Sequence, residues 1–516
     1  MPRTRIRLRN FLALGKPAPM NVLFDIGEFW GRGEFVESFT ATVREQAPGV
    51  TLTPLVFGEP NDSFPVSPTG WDPLVYFSMK GSMSWRPSLE AMNQMVGFQS
   101  SLGFGSVRFL ALKMLNRVDF TGTFRLLERE VIVHSAILAA LDLLLEKQPS
   151  LVVFRVTPHE FPQFIVSEVA KYLELEVLHF QPCSIAPVMI PRYSSGKRFE
   201  HAQGLPHEST ESKFILETAR TQLRALQEAQ SPTYMVFQRR RDHALQSFQN
   251  RLRAVAQSIG WIFRDRFPTS VDFSGHSNPQ SFAARFLKVL LTRSLQRNLT
   301  QAIRRLGKDW SPAKPFALLA LHYEPERTSL PDGLAIEFQA DAVLQARAFL
   351  PSGTQLVVKE HYSQQSSALR GFLGRSPLFY DLIESLPGIN FVGYNEKLTS
   401  LVSEAACVFT LTGTIAIEAV LRGIPVVYFG APWWEGLPGA FRIDELASFD
   451  DLEEETVPEP GEILRFVEDL VLRGAIPGFA SEAHETIVKR FGDVPELYSF
   501  LEGLSVGNLV ALEDQG

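Results

Sequence analysis

Three polar clusters stand close together in the last third of the 516-residue chain: Lys359 and His361 in VVKEH, the triplet Thr412, Gly413 and Thr414 in TLTGTIAIEAVL, and Glu418 one turn further on. A lysine is a compact positive charge, and an imidazole donates or accepts near neutral pH. A Thr-Gly-Thr turn that opens a helix adds hydroxyls, backbone N–H groups and the positive end of the helix dipole. Together these groups fit a phosphate. Glu418 is placed to accept from hydroxyls such as those of a ribose.

A second set lies in the first third. His159 and Glu160 follow the apolar run LVVFRV, where they can act as acid, base or hydroxyl-binding pair. The same Glu160 also suits the start of a helix, whose dipole it complements. In DIGEFWGRGEF, Gly27, Gly31 and Gly33 allow close backbone approach to a ligand, and Asp25 and Glu28 are carboxylates beside them. The spacing is not G-x-G-x-x-G, which disfavours a nicotinamide cofactor. Trp433 and Trp434 can stack on a base or sugar face, or pack in a core.

These groups require strands to carry them. MNVLFDIG (20–27), TLTPLVFG (51–58), LVVFRV (151–156) and EVLHFQP (176–182) read as strands, with helical pattern over 86–117, 127–147 and FIVSEVAKYLEL. A second series begins at FALLALH and continues through QLVVK, INFVG, CVFTL and IPVVYFG, with helices near 335–349, 376–386, 396–405 and 415–421. Apolar strands without alternation, separated by helices, predict parallel sheets covered on both faces. Ligands of such sheets collect at the carboxyl ends of the strands. The polar strand tips of the second series, LHYEPERTS, KEHYSQ and TGT, then share one edge. SPAKP (311–315) marks a boundary, which predicts an N-terminal domain over 1–200, a helical and locally basic connection over 201–310, and a C-terminal domain with terminal helices over 311–516.

The chain exceeds the size at which one core stops growing, so more than one domain is expected. A formal net charge of -7 argues against nucleic acid as a partner. The two cysteines, Cys183 and Cys407, exclude a disulfide framework and read as buried thiols. The apolar part of the N-terminus is too short for a signal peptide, and no stretch is long enough to span a bilayer, so a cytoplasmic protein is expected. Residues 273–308 contain no acid and carry Arg285, Lys288, Arg293, Arg297, Arg304, Arg305 and Lys308, with Leu295, Leu299, Ile303 and Leu306 on one helical face. Such a helix either meets a membrane surface or packs on the core with a solvated basic face.

ALHYEPERTS, VVKEH and TLTGTIAIEAVLRGIPVVYFG followed by WWEGLPG resemble the capsule polysaccharide biosynthesis proteins, bacterial surface-glycan enzymes that include β-Kdo glycosyltransferases. The resemblance covers about 316–442, with a weaker echo over 152–182. It implies a GT-B fold, two Rossmann-like domains facing across a cleft, with the nucleotide-sugar donor on the C-terminal domain. The acceptor, a glycan or lipid-linked glycan, would lie on the N-terminal one. The family's lysine and histidine fall on Lys359 and His361, its glycine-threonine turn on Gly413 and Thr414, and its helix acid on Glu418. The candidate catalytic groups are therefore His159, Glu160 and His361; Lys359, Thr412, Gly413, Thr414, Glu418, Gly27, Glu28 and Trp433 are candidates for binding substrate. Tyr362 stands where the family has a proline. No cofactor or metal is expected, and CMP-Kdo is one donor the resemblance allows. The inner-membrane surface contact that the basic amphipathic pattern allows through 285–308 would bring such an enzyme to a lipid-linked acceptor. A nucleotide-sugar 2-epimerase and a non-catalytic glycan- or partner-binding subunit share the fold and stay open.

Overall fold

The computed structural model describes residues 20–26, 50–57, 75–77, 86–119, 124–195, 210–228, 282–307, 315–326, 329–334, 336–366, 369–393, 396–454, 458–473 and 475–477. The first part of the chain forms β1 (Met20–Asp25), β2 (Val50–Phe57), β3 (Val75–Phe77), α1 (Leu89–Gln99), α2 (Phe104–Val118), α3 (Leu126–Lys147), β4 (Leu151–Phe154), α4 (Phe161–Tyr172), β5 (Glu176–Pro182) and β6 (Val188–Tyr193). Two helices follow, α5 (Thr210–Gln227) and α6 (Phe282–Ile303). The second series is β7 (Phe316–Ala320), α7 (Gln339–Phe349), β8 (Gln355–Lys359), α8 (Tyr362–Gln365), α9 (Pro377–Glu384), β9 (Ile389–Phe391), α10 (Leu398–Glu404), β10 (Val408–Thr410), α11 (Ile415–Val420), β11 (Val426–Tyr428) and β12 (Ala440–Arg442). The described chain ends with α12 (Phe449–Glu454), α13 (Pro460–Arg473) and β13 (Ile476–Pro477).

Local sequence explains most of these elements. LVVF and FALLA are buried at every position, as strands covered on both faces must be. The nearly all-apolar α3 buries Ile132, Val133, Ala136, Ile137 and Leu144, so helices surround it on several sides. The helical pattern over 86–117 is in fact two helices. Ser100 Oγ and Ser101 Oγ turn back to the carbonyls of Val96 and Phe98, offering the backbone an alternative to continued helix, and Gly103 then opens α2.

The first sheet has the order β13-β6-β5-β4-β1-β2-β3, and the second β12-β11-β10-β7-β8-β9. All pairs of the second sheet are parallel. Numbered within its own domain it runs 3-2-1-4-5-6 from β9 to β12, the doubly wound order of a dinucleotide-binding fold. The first sheet repeats 3-2-1-4-5 and adds two antiparallel strands, β6 on β5 and β13 on β6. The molecule is an α/β protein of two Rossmann-like domains in a GT-B-like arrangement.

The two antiparallel strands are not evident in the sequence. β6 runs through Pro191, a residue that argues against a strand, and β13 comes from the far end of the described chain, beyond the second sheet. The helix α13 packs against α5, with Arg220 Nε 2.7 Å from Glu468 Oε1. A single apolar cluster runs from Val22 and Phe180 through Ile215 and Val467 to Phe316 and Val426, which joins the domains on that side. The helix α6 docks on the second domain through Leu299, Ile303 and Leu306. Cys183 and Cys407 are free and buried, and burial raises both thiols, Cys183 to about 12.

Candidate functional site

In a doubly wound sheet the ligand crevice opens where the strand order reverses, at the carboxyl edge. Here that point lies between β1 and β4 in the first domain and between β7 and β10 in the second. The two edges face each other. Gln181 Nε2, near the end of β5, donates to Ala431 O at 2.8 Å, and Arg192 Nη1 pairs with Glu435 at 2.5 Å. On the other flank Lys113 of α2 lies 3.4 Å from Glu324, and Ser106 bonds to Glu337.

At the second switch point the polar groups satisfy one another. The Gly413 N–H donates to Thr410 Oγ1 at 3.1 Å, and the Thr410 hydroxyl lies 3.0 Å from His322 Nε2. The Thr412 N–H lies 3.4 Å from that same nitrogen, so Nε2 is the lone-pair atom and Nδ1 carries the proton. Burial, with the nearby His361 and Arg375, pushes His322 down to about 3, so the ring is neutral. This corrects the expectation for Thr412 and Gly413, whose N–H groups turn into the fold and not toward an anion. The following helix α11 is also short. Thr414 stands at its N-cap, half-buried and without a side-chain cap bond.

Lys359 is likewise turned inward. It is 8% exposed and its Nζ donates to Gly393 O at 3.0 Å. His361 caps α8, with Nδ1 accepting from the Ser363 N–H at 3.2 Å, which leaves the proton on Nε2. Packing round its ring, with Arg375 beside it, lowers it to about 4, so it is a neutral donor and not a cation near pH 7. Glu418 Oε1 lies 3.4 Å from the Arg422 guanidinium without hydrogen-bond geometry, and burial raises its carboxyl. Arg422 also holds the last carbonyls of α5. Trp433 is only 7% exposed and belongs to the apolar cluster that joins the domains, which corrects the stacking role; Trp434 is fully buried against Tyr428.

Beneath these groups lies a buried charge network that local sequence does not announce. Arg375 bonds to Glu324 and approaches Glu360 at 3.4 Å, Tyr380 donates to Glu360 at 2.8 Å, and Gln364 exchanges two bonds with the Glu324 backbone. His322 and Glu324 follow β7 in LHYEPE and Glu360 follows β8 in KEH, so position at a strand tip was their only signal. Arg375 comes from a loop and had none.

The neutral histidines set an acid response. The folded pKa of His361, about 4, is below its value near 6.5 in an unfolded chain, so the unfolded state takes up the proton first. The stabilisation is whole above about pH 6.5 and is lost as pH falls toward about 4. His361→Asn keeps a good helix cap while removing the titration. Thermal unfolding between about pH 7 and pH 4.5 should show a shallower acid decline for the variant; parallel profiles would contradict the assignment.

The first switch point is built differently. Asp25 closes β1, is 1% exposed, and accepts from Gln163 Nε2 at 3.2 Å with Arg155 Nε 3.8 Å away. His159 is half-buried and its Nδ1 donates to Thr157 O at 2.8 Å, which makes Nε2 the basic nitrogen. Arg117 Nη1 donates to His159 O at 2.7 Å. Glu160 is the exposed N-cap residue of α4, and its side chain makes no cap bond. The structure therefore ties His159 to Thr157 and Arg117, and Asp25 to Gln163 in the first turn of α4; Thr157, Arg117 and Gln163 were not singled out from the sequence. Gly27 and Glu28 lie outside the described residues. Among the described residues no three His, Cys, Asp or Glu side chains are grouped to hold a metal ion.

No family model matches the chain, and no curated protein does. Solved structures are similar at low identity. A UDP-GlcNAc 2-epimerase from Methanocaldococcus jannaschii is 12% identical, with 91% of this chain and 99% of that one covered and a TM-score of 0.19. The β-Kdo 2,4 transferase KpsC of Thermosulfurimonas dismutans is 12% identical over 69% of this chain and 88% of its own, with a TM-score of 0.26. A UDP-GlcNAc 2-epimerase from Neisseria meningitidis bound to UDP-GlcNAc is 13% identical, covering 95% and 100%, with a TM-score of 0.19. At these values no activity transfers to the chain.

Proposed function

We propose that the chain is a GT-B glycosyltransferase that moves a sugar from a nucleotide-activated donor to a glycan or lipid-linked glycan acceptor of a bacterial surface polysaccharide. The observation that carries this reading is the pair of doubly wound sheets whose switch-point edges face one cleft, each edge bearing polar groups suited to a different partner. The resemblance of TLTGTIAIEAVLRGIPVVYFG to the capsule polysaccharide biosynthesis proteins supports the same reading and makes CMP-Kdo the donor to test first.

The donor would lie on the second domain. Departure of its phosphate builds negative charge, which the Nε2–H of His361, the hydroxyl of Thr414 and the field of the buried Lys359 stabilise. Glu418 Oε1, lacking a hydrogen-bond partner among the described residues, would accept from the ribose. The acceptor would lie on the first domain, with His159 Nε2 taking the proton from its attacking hydroxyl. That hydroxyl oxygen bonds to the anomeric carbon as the bond to the nucleotide phosphate breaks.

Calorimetric titration with CMP, UDP and GDP is the direct test, and binding of one nucleotide in preference to the others is expected. Failure to bind all three would sink the donor assignment. It would favour a second reading, a non-catalytic glycan- or partner-binding GT-B subunit, for which the inward-turned Lys359, Thr412 and Gly413 speak. Incubation with donor alone separates a transferase from a 2-epimerase, since only the latter converts the donor without an acceptor.

The inner-membrane contact through 285–308 belongs to the same proposal. The sequence places Leu295 on one face with Leu299, Ile303 and Leu306, but only the last three are buried. Leu287, Leu290, Leu291 and Leu295 stay exposed at 64%, 46%, 58% and 41%, on a helix that also presents Arg297 to solvent, and Arg304 and Arg305 are exposed in the turn that follows it. Basic residues beside exposed leucines suit an anionic lipid surface. No helix among the described residues is long and apolar enough to cross a membrane. The chain should sediment with phosphatidylglycerol vesicles at low salt, and Leu287→Asp with Leu291→Asp should weaken this about tenfold or more. Equal sedimentation of the double variant would refute the contact.

A further inference from the structure

The two flanks of the cleft are held by different chemistry. On one, the domains share the apolar cluster that includes Ile215, Val467 and Trp434, and β13 returns from beyond the second domain to pair with β6. Parting them there would expose that cluster to water and break a strand pairing. On the other flank, Ser106, Lys113 and Arg117 stand at i, i+7 and i+11 along α2, which is one face of a helix. That face meets the second domain through polar groups. Ser106 bonds to the Glu337 carboxylate, Lys113 Nζ donates to Glu337 O, and the same ammonium lies 3.4 Å from Glu324 Oε1. Leu330 adds a second-domain side chain to the first domain's core. Polar bonds exchange for water at small net cost, so this is the flank that can open.

Glu324 makes Lys113 more than a surface contact. Its carboxylate is divided: Oε2 pairs with Arg375 inside the second domain, and Oε1 faces Lys113 of the first. Arg375 also serves Glu360, so two acids share one buried cation until α2 brings another. With the domains together the Glu324 side chain is only 2% exposed. Closure thus takes Oε1 out of water, and the ammonium is the donor that replaces the water. Burial lowers Lys113 and the field of Glu324 opposes this, so each group supports the charge of the other. The Lys113 Nζ lies 5.6 Å from the centroid of the Phe109 ring, which aims the side chain across the gap.

We infer that Lys113 is a latch: the domains part on the α2 flank when it leaves Glu324, turn about the apolar flank, and close again when it completes the pair. The inference needs only the two facing edges and holds whatever the chain transfers. A methionine in place of Lys113 would leave Glu324 Oε1 buried with no donor in the closed form, so it should favour the open form outright.

Spin labels on Leu102→Cys and Leu378→Cys, exposed positions one on each domain, report the separation in the full chain by pulsed electron resonance; Cys183 and Cys407 are buried and stay unlabelled. The otherwise unaltered chain should give mainly one short separation. Lys113→Met should raise the ratio of long to short separations about tenfold or more. Lys113→Arg keeps a cation for Oε1 and should stay within about threefold of the unaltered chain. In a Glu324→Gln background closure buries no charge at this position, so Lys113→Met should then add less than about threefold. Arg192→Met, which removes a cation from the apolar flank, should leave the separations as they are. Unchanged separations in Lys113→Met, an equal shift by Lys113→Met in both backgrounds, or equal widening by Arg192→Met would each overturn the latch. Near-ultraviolet circular dichroism matching the unaltered chain shows that each variant is folded. Should Glu324→Gln fail to fold, the contrast between Lys113→Met and Lys113→Arg still decides.

Discussion

Arg375→Met is expected to destabilise the second domain by about 3 to 5 kcal/mol, the range for removing one partner of a buried ion pair. The guanidinium has no exposed side-chain surface, and Glu324 and Glu360 beside it expose only 2% and 3% of theirs. A methionine fills much of the volume but leaves two carboxylates buried with no cation between them. Burial already raises the Glu360 carboxyl, and Arg375 and Tyr380 are the chief groups holding it down. Without Arg375 its folded value rises further above the unfolded one, so the folded state keeps a proton that the unfolded state has lost. The variant should therefore suffer more at about pH 7.5 than at about pH 5, where protonation relieves the site. Arg375→Lys should fall between, since it keeps the charge but not the fork that serves two acids. Denaturant unfolding at the two pH values measures all of this. A loss under about 1 kcal/mol at the higher pH would show that the network is dispensable.

His159→Ala should lower glycosyl transfer by about 10²- to 10⁴-fold, the usual contribution of a positioned base. The bond from Nδ1 to Thr157 O fixes both the ring and its tautomer, so the basic Nε2 is ready before substrate arrives. His159 is on the first domain while the nucleotide is proposed for the second, so nucleotide affinity should not change. His159→Gln keeps a polar side chain but cannot take up the proton, and should be as slow as the alanine variant. Initial rates at saturating donor, with calorimetric titration of the nucleotide, separate the two effects. A rate within about threefold of the unaltered chain would remove His159 from the chemistry.

Much of the architecture was legible in residue order. FALLA and LVVF are short and wholly apolar, and QLVVK has an apolar centre, so both parallel series could be read with their strand-tip residues. His159 and Glu160 were visible because they follow such a strand directly. What failed was orientation. Lys359, Thr412 and Gly413 stand where a phosphate site would need them, yet each spends a donor on the protein: Gly393 O and His322 Nε2 lie far from Lys359 and Thr412 in sequence, and Thr410 Oγ1 lies three residues before Gly413. A motif specifies which donors are present, not what else competes for them.

By itself, then, the sequence determined the two sheets and the types of polar group at their edges, because periodicity and burial act over a few residues at a time. Tertiary structure decided which of those groups are already satisfied. It placed Arg375 between Glu324 and Glu360, paired β13 with β6, and brought Lys113 of the first domain to Glu324 of the second. Such choices depend on partners brought together by strand order and helix packing across long stretches of chain, and no local pattern carries that information.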